Sequence, residues 1–218
     1  MTGISSCAKD PTLDFEFELL AQAPLIIGVD EVGRGAIAGP VAVGAQVFSA
    51  ECGEFPAGLR DSKLLTEKRR QALLEPVCAW GVGAVGYASA AEIDAHGVSA
   101  MLGAAGRSAF LQLAGQGVPV ERAIVLVDGS FDWLSRGLAG AGIVPAQVLT
   151  RVGADRACAV VAAASIRAKV ARDTLMCAAA EEHPYYSWES NKGYGSKAHY
   201  AGIAEYGATD FHRKTWLK

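Results

Sequence analysis

Apolar residues in this chain gather in short β-branched runs bounded by turn residues, and in two longer stretches with helical spacing. LIIGV (25–29) and VAVGAQVF (41–48) flank a Gly/Pro turn and predict two strands, the first of them buried. AIVLVDG (123–129) is a continuous apolar run closed by an acid and a glycine, and GVGAVGYAS (81–89) and VPAQVLTRV (144–152) are further strand candidates. DSKLLTEKRRQALLEPV (61–77) predicts a turn and then a helix capped by Thr66 and disturbed at Pro76, with a solvated charged face. Met101, Leu102, Ala105, Ala109, Phe110 and Leu113 recur on one helical face within 99–115. Residues 154–182 contain no breaker and carry an alanine-rich apolar face, which predicts one long packed helix with Asp155 in its first turn. Strands placed before and between helices predict a mixed α/β sheet flanked by helices, with no internal repeat or interdomain linker.

Acids interrupt this pattern where strands end. Asp30 and Glu31 follow the first strand core, Asp128 closes 123–128, and Asp155 stands at the start of the long helical stretch. Each has a plain alternative as a solvated turn acid, a turn signal before Gly129, or a favourable charge at a helix start. Two like charges side by side resist joint ionisation unless a cation lies between them, so the group of four points to a hard divalent metal. All-oxygen donors favour Mg²⁺ or Mn²⁺ over zinc, and His96, His183, His199 and His212 lack the compact paired spacing of a zinc enzyme. Gly33, Gly35 and Gly39 also permit a dinucleotide-loop reading. That loop would open a helix, whereas here Pro40 and a strand pattern follow.

Composition narrows the setting. At 218 residues the chain supports one substantial core, or one core with a small appendage. The N-terminal stretch mixes acids into its apolar residues, unlike a signal peptide, and no run reaches membrane-spanning length. Cys7, Cys52, Cys78, Cys158 and Cys177 are odd in number and unpaired in spacing, so free thiols and a cytoplasmic location are expected. A net charge of −3 argues against bulk electrostatic binding of nucleic acid, yet residues 192–218 hold five Lys/Arg against two acids.

GVDEVGRGAIAGPV, DSKLLTEKRR, VDG, AAASIRAKVARD, NKGYGSKAH and HRKTW stand in the order seen in bacterial ribonuclease HII, which the chain resembles from about residue 25 to its end. The resemblance implies a ribonuclease H-like fold, a mixed five-stranded sheet flanked by helices with a small C-terminal helical appendage. It implies an N-terminal segment of unassigned role (1–23) and a type 2 ribonuclease H catalytic domain (24–218), with a basic substrate-binding appendage from about residue 190. The implied activity is metal-dependent endonucleolytic hydrolysis of the RNA strand in RNA–DNA hybrids. It includes cutting 5′ to a single ribonucleotide in duplex DNA, leaving 5′-phosphate and 3′-hydroxyl ends. The implied enzyme is monomeric, has no membrane partner, and uses two Mg²⁺ or Mn²⁺ ions with substrate.

Carried over by position, the catalytic and metal-holding acids fall on Asp30, Glu31, Asp128 and Asp155, and substrate contacts on Gly33, Arg34, Gly35, Lys63 and Tyr194. Ala154 separates Gly153 from Asp155, a departure from the family pattern. Successive strand residues face opposite ways, so Glu31 shares a site with Asp30 only through a bend or a separate metal position. Ser165 and Lys169 lie one helical turn apart, facing either phosphate or solvent. Two other functions stay open: a non-catalytic hybrid-binding module, and a metal nuclease for DNA junctions or ends.

Overall fold

The apolar runs assemble into one sheet of strand order β3-β2-β1-β4-β5 in a computed structural model that describes residues 10–217. Its strands are β1 (Leu25–Val32), β2 (Val41–Phe48), β3 (Gly83–Ala88), β4 (Ala123–Asp128) and β5 (Gln147–Arg151). β1 runs antiparallel to β2, with Ile26 opposite Phe48, and parallel to β4, with Val29 beside Val127. The helices are α1 (Asp14–Leu20), α2 (Glu67–Trp80), α3 (Ala90–His96), α4 (Val98–Gly115), α5 (Ser135–Ala139), α6 (Ala154–Ala157), α7 (Ala159–Glu182), α8 (Trp188–Asn191) and α9 (Lys197–Tyr206).

The two-residue alternation of the strands divides the core between the faces. Ile27, Val29, Val125 and Val127 pack with Leu102, Ala105, Ala109 and Phe110 of α4. Ile26, Ile124 and Leu126 pack with Val160, Val161 and Ile166 of α7, together with Leu19 of α1 and Trp80 of α2. Burying each large aliphatic side chain contributes about 1.5–3 kcal/mol. α7 lies against the sheet backbone: a Cβ on Gly28 would meet Val160 C at 2.5 Å, and one on Gly44 would meet Ala164 O at 2.2 Å. That close approach brings α7 beneath the strand ends that carry the acids.

The expected helix over 154–182 is instead two helices. Cys158 is extended (φ −119°, ψ 121°) and ends α6. The cause is long-range pairing: Thr12 N donates to Ala157 O at 3.1 Å, and Ala159 N donates to Thr12 O at 3.0 Å. Glu16 Oε1 accepts from Val160 N at 2.9 Å, satisfying an amide at the start of α7. Burial pushes the Glu16 carboxyl up to about 7. Pro76 does not end α2, because its surroundings on the helix are exposed and water can satisfy the carbonyl it frees. Thr66 caps α2 as expected, accepting from Arg69 N. The charged face of α2 is largely solvated as expected, with Lys68, Arg69 and Glu75 exposed. Two of its charges also dock: Glu67 pairs with Lys192 at 3.3 Å, and Arg70 donates to Ser62 O at 2.9 Å.

Cys52, Cys78, Cys158 and Cys177 are free thiols, and Cys7 lies outside the described residues. Among the described residues no helix is long and apolar enough to cross a membrane.

α8 and α9 close on a cluster formed by Ala38, Met176, Ala179, Ala180, Tyr186 and Trp188. Inside it, Trp188 Nε1 donates to His199 Nε2 at 2.9 Å, and His212 Nε2 lies 3.1 Å from the same atom. His199 Nδ1 is 2.9 Å from Tyr194 O, and His212 Nδ1 accepts from Thr209 N at 2.9 Å. The pattern closes only with both rings neutral, His199 protonated on Nδ1 and His212 on Nε2. Burial, with His199 second, lowers His212 from 6.5 to about 4. A depressed histidine leaves the unfolded chain binding the extra proton first, so stability is full above about pH 6.5 and falls as pH drops toward 4. The His212 contribution is on the order of 1–3 kcal/mol after allowance for screening. The raised carboxyls of Glu16 and Asp30 act with the opposite sign over the same window, so the His212 share is read as a difference. Between pH 6.5 and 4 wild type should lose stability relative to His212→Gln, and parallel pH profiles of the two would remove His212 as a source.

Candidate active site

Strand parity places Asp30 on the α7 face with Ile26 and Gly28, and Asp128 on the same face with Ile124 and Leu126. The two acids stand one step beyond the Val29–Val127 pair of parallel strands, so they leave the sheet side by side. Glu31 points to the other face and is half-buried. Asp128 Oδ1 accepts from Ala154 N at 2.7 Å and from Asp155 N at 3.4 Å, which ties the start of α6 to the end of β4. Lys63, on the short turn Ser62–Leu64, meets Asp155 Oδ2 at 3.3 Å. Asp61 caps that turn through Lys63 N and pairs with Arg156 at 3.1 Å.

Asp30 is buried, and its Oδ1 accepts from Glu31 N at 2.8 Å while its Oδ2 has no partner. The Ser165 hydroxyl stands nearby but pairs with that of Ser62 at 2.8 Å. Burial raises the Asp30 carboxyl to about 8; Ser165 and Lys63 oppose the shift, and the charges of Glu31 and Asp128 reinforce it. Burial also raises Glu31, against Arg34, and raises Asp155, with Asp128 and Asp61 adding to the shift and Lys63 opposing it. An unpartnered buried carboxylate oxygen among three coupled acids is under-compensated as it stands and suits a hard cation. Among the described residues, however, no three His, Cys, Asp or Glu side chains are drawn into a ready metal-holding group. The acids fit such an ion by chemistry, with further oxygen donors to come from outside the protein.

The loop after β1 is shaped by two buried arginines. Gly33 has φ +83°, and a Cβ there would strike Arg172 Nε at 2.1 Å. Gly35 is different: nothing lies within 4 Å of its missing Cβ, so its backbone is open to an approaching molecule. Arg34 is exposed and meets Glu31 at 3.5 Å, an ion pair worth about 0–1 kcal/mol that a phosphate can displace. Arg213, 0 % exposed, donates to Gly33 O at 2.7 Å and Arg34 O at 2.9 Å. Arg172, also 0 % exposed, donates to Pro40 O at 2.8 Å and Lys192 O at 2.8 Å. Ile37 N and Ala38 N donate to Gly193 O at 2.9 and 3.0 Å, joining this loop to the one that bears Tyr194. The Tyr194 ring is 39 % exposed, with Arg172 Cζ 5.6 Å from its centroid.

The sequence-derived residues thus form two neighbouring groups: Asp30, Glu31, Asp128 and Asp155 with Lys63, and Gly33, Arg34 and Gly35 with Tyr194 linked through Arg172 and Arg213. Sequence reading did not single out Arg172, Arg213 or Asp61. All three stand in quoted motifs, but nothing local reveals that an arginine on an alanine-rich helix bonds loop carbonyls. Ser165 is buried beside Asp30, and Lys169 pairs with Asp173 at 2.7 Å. Of the basic C-terminal residues, Lys192 is buried against Glu67, Arg213 is spent on the loop, and Lys214 pairs with Asp210 at 2.8 Å. Two of these cations, Lys192 and Arg213, are thus committed inside the protein, while Lys214 and Lys197 stay exposed.

Residues 27–218 match the family model described as Ribonuclease HII. Ribonuclease HII of Streptomyces avermitilis is 42% identical over 211 residues, covering 95% of this chain and 84% of that protein. Ribonuclease HII of Paracoccus denitrificans is 42% identical over 203 residues, covering 92% of this chain and 89% of that protein. Among solved structures, ribonuclease H2 from Pyrococcus horikoshii superposes with a TM-score of 0.64 at 26% identity, covering 88% of this chain and 93% of that one. The RNase HII of an Archaeoglobus fulgidus PCNA complex shares the fold, with a TM-score of 0.67 at 24% identity over 89% of this chain and 96% of that one.

Proposed function

The chain belongs to the ribonuclease HII family, and from that membership we propose that it hydrolyses the RNA strand of RNA–DNA hybrids and cuts 5′ to a lone ribonucleotide in duplex DNA. The ends left are 5′-phosphate and 3′-hydroxyl, because water rather than the neighbouring 2′-hydroxyl attacks phosphorus. The supporting observation is Asp30 and Asp128 side by side at parallel strand ends, next to a loop whose Gly35 backbone is open.

Asp30 and Asp128 hold the central position, Asp155 completes one side and Glu31 the other, which gives Glu31 a use despite its opposite strand face. Divalent cations, Mg²⁺ or Mn²⁺, when bound there supply an activated water and neutralise charge on the phosphate and leaving oxygen. Arg34 swings from Glu31 to a phosphate oxygen, and Lys63 offers a second cation from beside Asp155. Backbone groups of the 33–35 loop read the ribose 2′-hydroxyl, the feature that separates RNA from DNA. Tyr194, held by Arg172 beneath and by His199 at its carbonyl, packs on the adjoining sugar. Residues 24–218 form the catalytic domain, and the described part of the N-terminal segment braces it through Thr12 and Glu16.

The test is cleavage of three labelled duplexes, one with a single ribonucleotide, one an RNA–DNA hybrid and one all DNA, each with Mg²⁺, Mn²⁺ or EDTA. Cutting of the first two, absent in EDTA, is expected. Binding without cutting would favour a non-catalytic module, and equal cutting of all three a general DNA nuclease.

A further inference from the structure

We infer that the cavity between α4, α5 and the loop after β4 is a binding site for backbone phosphates of the duplex flanking the cut, an inference that rests on the proposed hydrolysis of ribonucleotide-containing duplexes. The cavity measures 510 Å³, and its lining includes His96, Arg107, Phe131, Asp132 and Arg136. It opens at the acid-bearing end of the sheet. β3 ends at Ala88 beside Val41, at the level where β1 ends, and α3 and the start of α4 follow directly. Phe131 is three residues beyond Asp128. The acids lie on the α7 face and the cavity on the α4 face of the same sheet end, so a duplex laid across the strand ends would reach both.

The lining has the chemistry for that occupant. Arg107 and Arg136 are exposed, and among the described residues neither is in an ion pair. The one carboxylate in the lining, Asp132, is turned to α5: Oδ1 accepts from Leu134 N at 3.0 Å and Ser135 N at 2.9 Å, and Oδ2 accepts from Ser135 Oγ. Two uncommitted guanidiniums on one concave surface suit phosphate oxygens, which they engage through paired donors. Phe131, 62 % exposed, adds an aromatic face for a sugar. These arginines add positive charge beyond that of the C-terminal segment, where Lys192 and Arg213 are buried and occupied within the protein.

The test compares wild type, Arg107→Ala/Arg136→Ala and, as a control, Arg122→Ala, an exposed arginine just before β4 at the opposite end of the sheet. Duplexes carry one ribonucleotide with long flanks on both sides, or with either flank removed. The double variant should raise KM about tenfold while kcat changes little, and should reduce the dependence of log affinity on log salt by about 2, since each lost phosphate contact removes about 0.9. Removing one particular flank should shrink the KM penalty, and removing the other should not. An unchanged KM and salt slope, a penalty independent of both flanks, or the same penalty in Arg122→Ala would overturn the site. Fluorescence anisotropy of the same duplexes in EDTA reads binding without cleavage, so it tests the cavity even if wild type cuts none of them and the proposed function fails. A loss of affinity for poly-glutamate alone would assign the cavity to an acidic protein partner and overturn the phosphate reading.

Discussion

Asp128→Asn should lower turnover on a single-ribonucleotide duplex by on the order of 10³-fold, equivalent to about 4 kcal/mol of barrier, with folding and hybrid binding retained. The reason lies in the division of labour between the carboxylate oxygens. Oδ1 accepts the Ala154 and Asp155 amides, and an asparagine carbonyl oxygen can continue to do so. What the amide removes is the negative charge needed to hold a cation beside Asp30. The thermal midpoint should therefore move by no more than an ordinary surface substitution, within about 0.5–1 kcal/mol. Affinity for an RNA–DNA hybrid, measured in EDTA, should stay near wild type. Near-normal turnover at saturating Mg²⁺ would remove Asp128 from the centre and undermine the placement of Asp30 beside it. Asp155→Asn in parallel tests the helix-start acid, which sits under Lys63.

The parts of this site legible in the sequence are those that interrupt a pattern. Asp30 and Asp128 end runs of apolar residues on strands fixed by alternation and β-branching, so their exit from the same sheet end follows once the strands are placed. The same alternation foretells that Glu31 faces away from Asp30, as it does. The missed features depend on partners far along the chain. Helical propensity carries 154–182 as one element, yet backbone bonds to Thr12 outweigh the local ladder at Cys158. Arg172 and Arg213 look like solvent-facing charges until the carbonyls of residues 33–40 and 192 are brought around them. The basic C-terminal run divides in the same way, Lys192 and Arg213 folding inward while Lys197 and Lys214 stay exposed, and charge counted along a sequence does not reveal which.

That contrast separates two neighbouring glycines that sequence alone treats alike. Gly33→Ala should be a folding lesion: a β-carbon there meets the Arg172 guanidinium at φ +83°, and displacing a buried, multiply bonded arginine costs about 3–5 kcal/mol. Gly35→Ala adds a methyl to open space, so thermal stability and Mg²⁺ affinity should hold near wild type. Cutting at a ribonucleotide should nevertheless fall, because the methyl occupies the approach to the backbone that reads the sugar. For the wild type, replacing the lone ribonucleotide by its 2′-deoxy counterpart should abolish the cut. Leaving one site polar group unpaired accounts for about 1–3 kcal/mol, and the remaining loss follows from misplacing the scissile phosphate. The two effects share a cause and should not multiply: on the deoxy duplex, Gly35→Ala should be no worse than wild type. Comparable wild-type cutting of the ribo and deoxy duplexes would sink the role of the 33–35 loop, and a fully active Gly35→Ala would move sugar recognition to Tyr194.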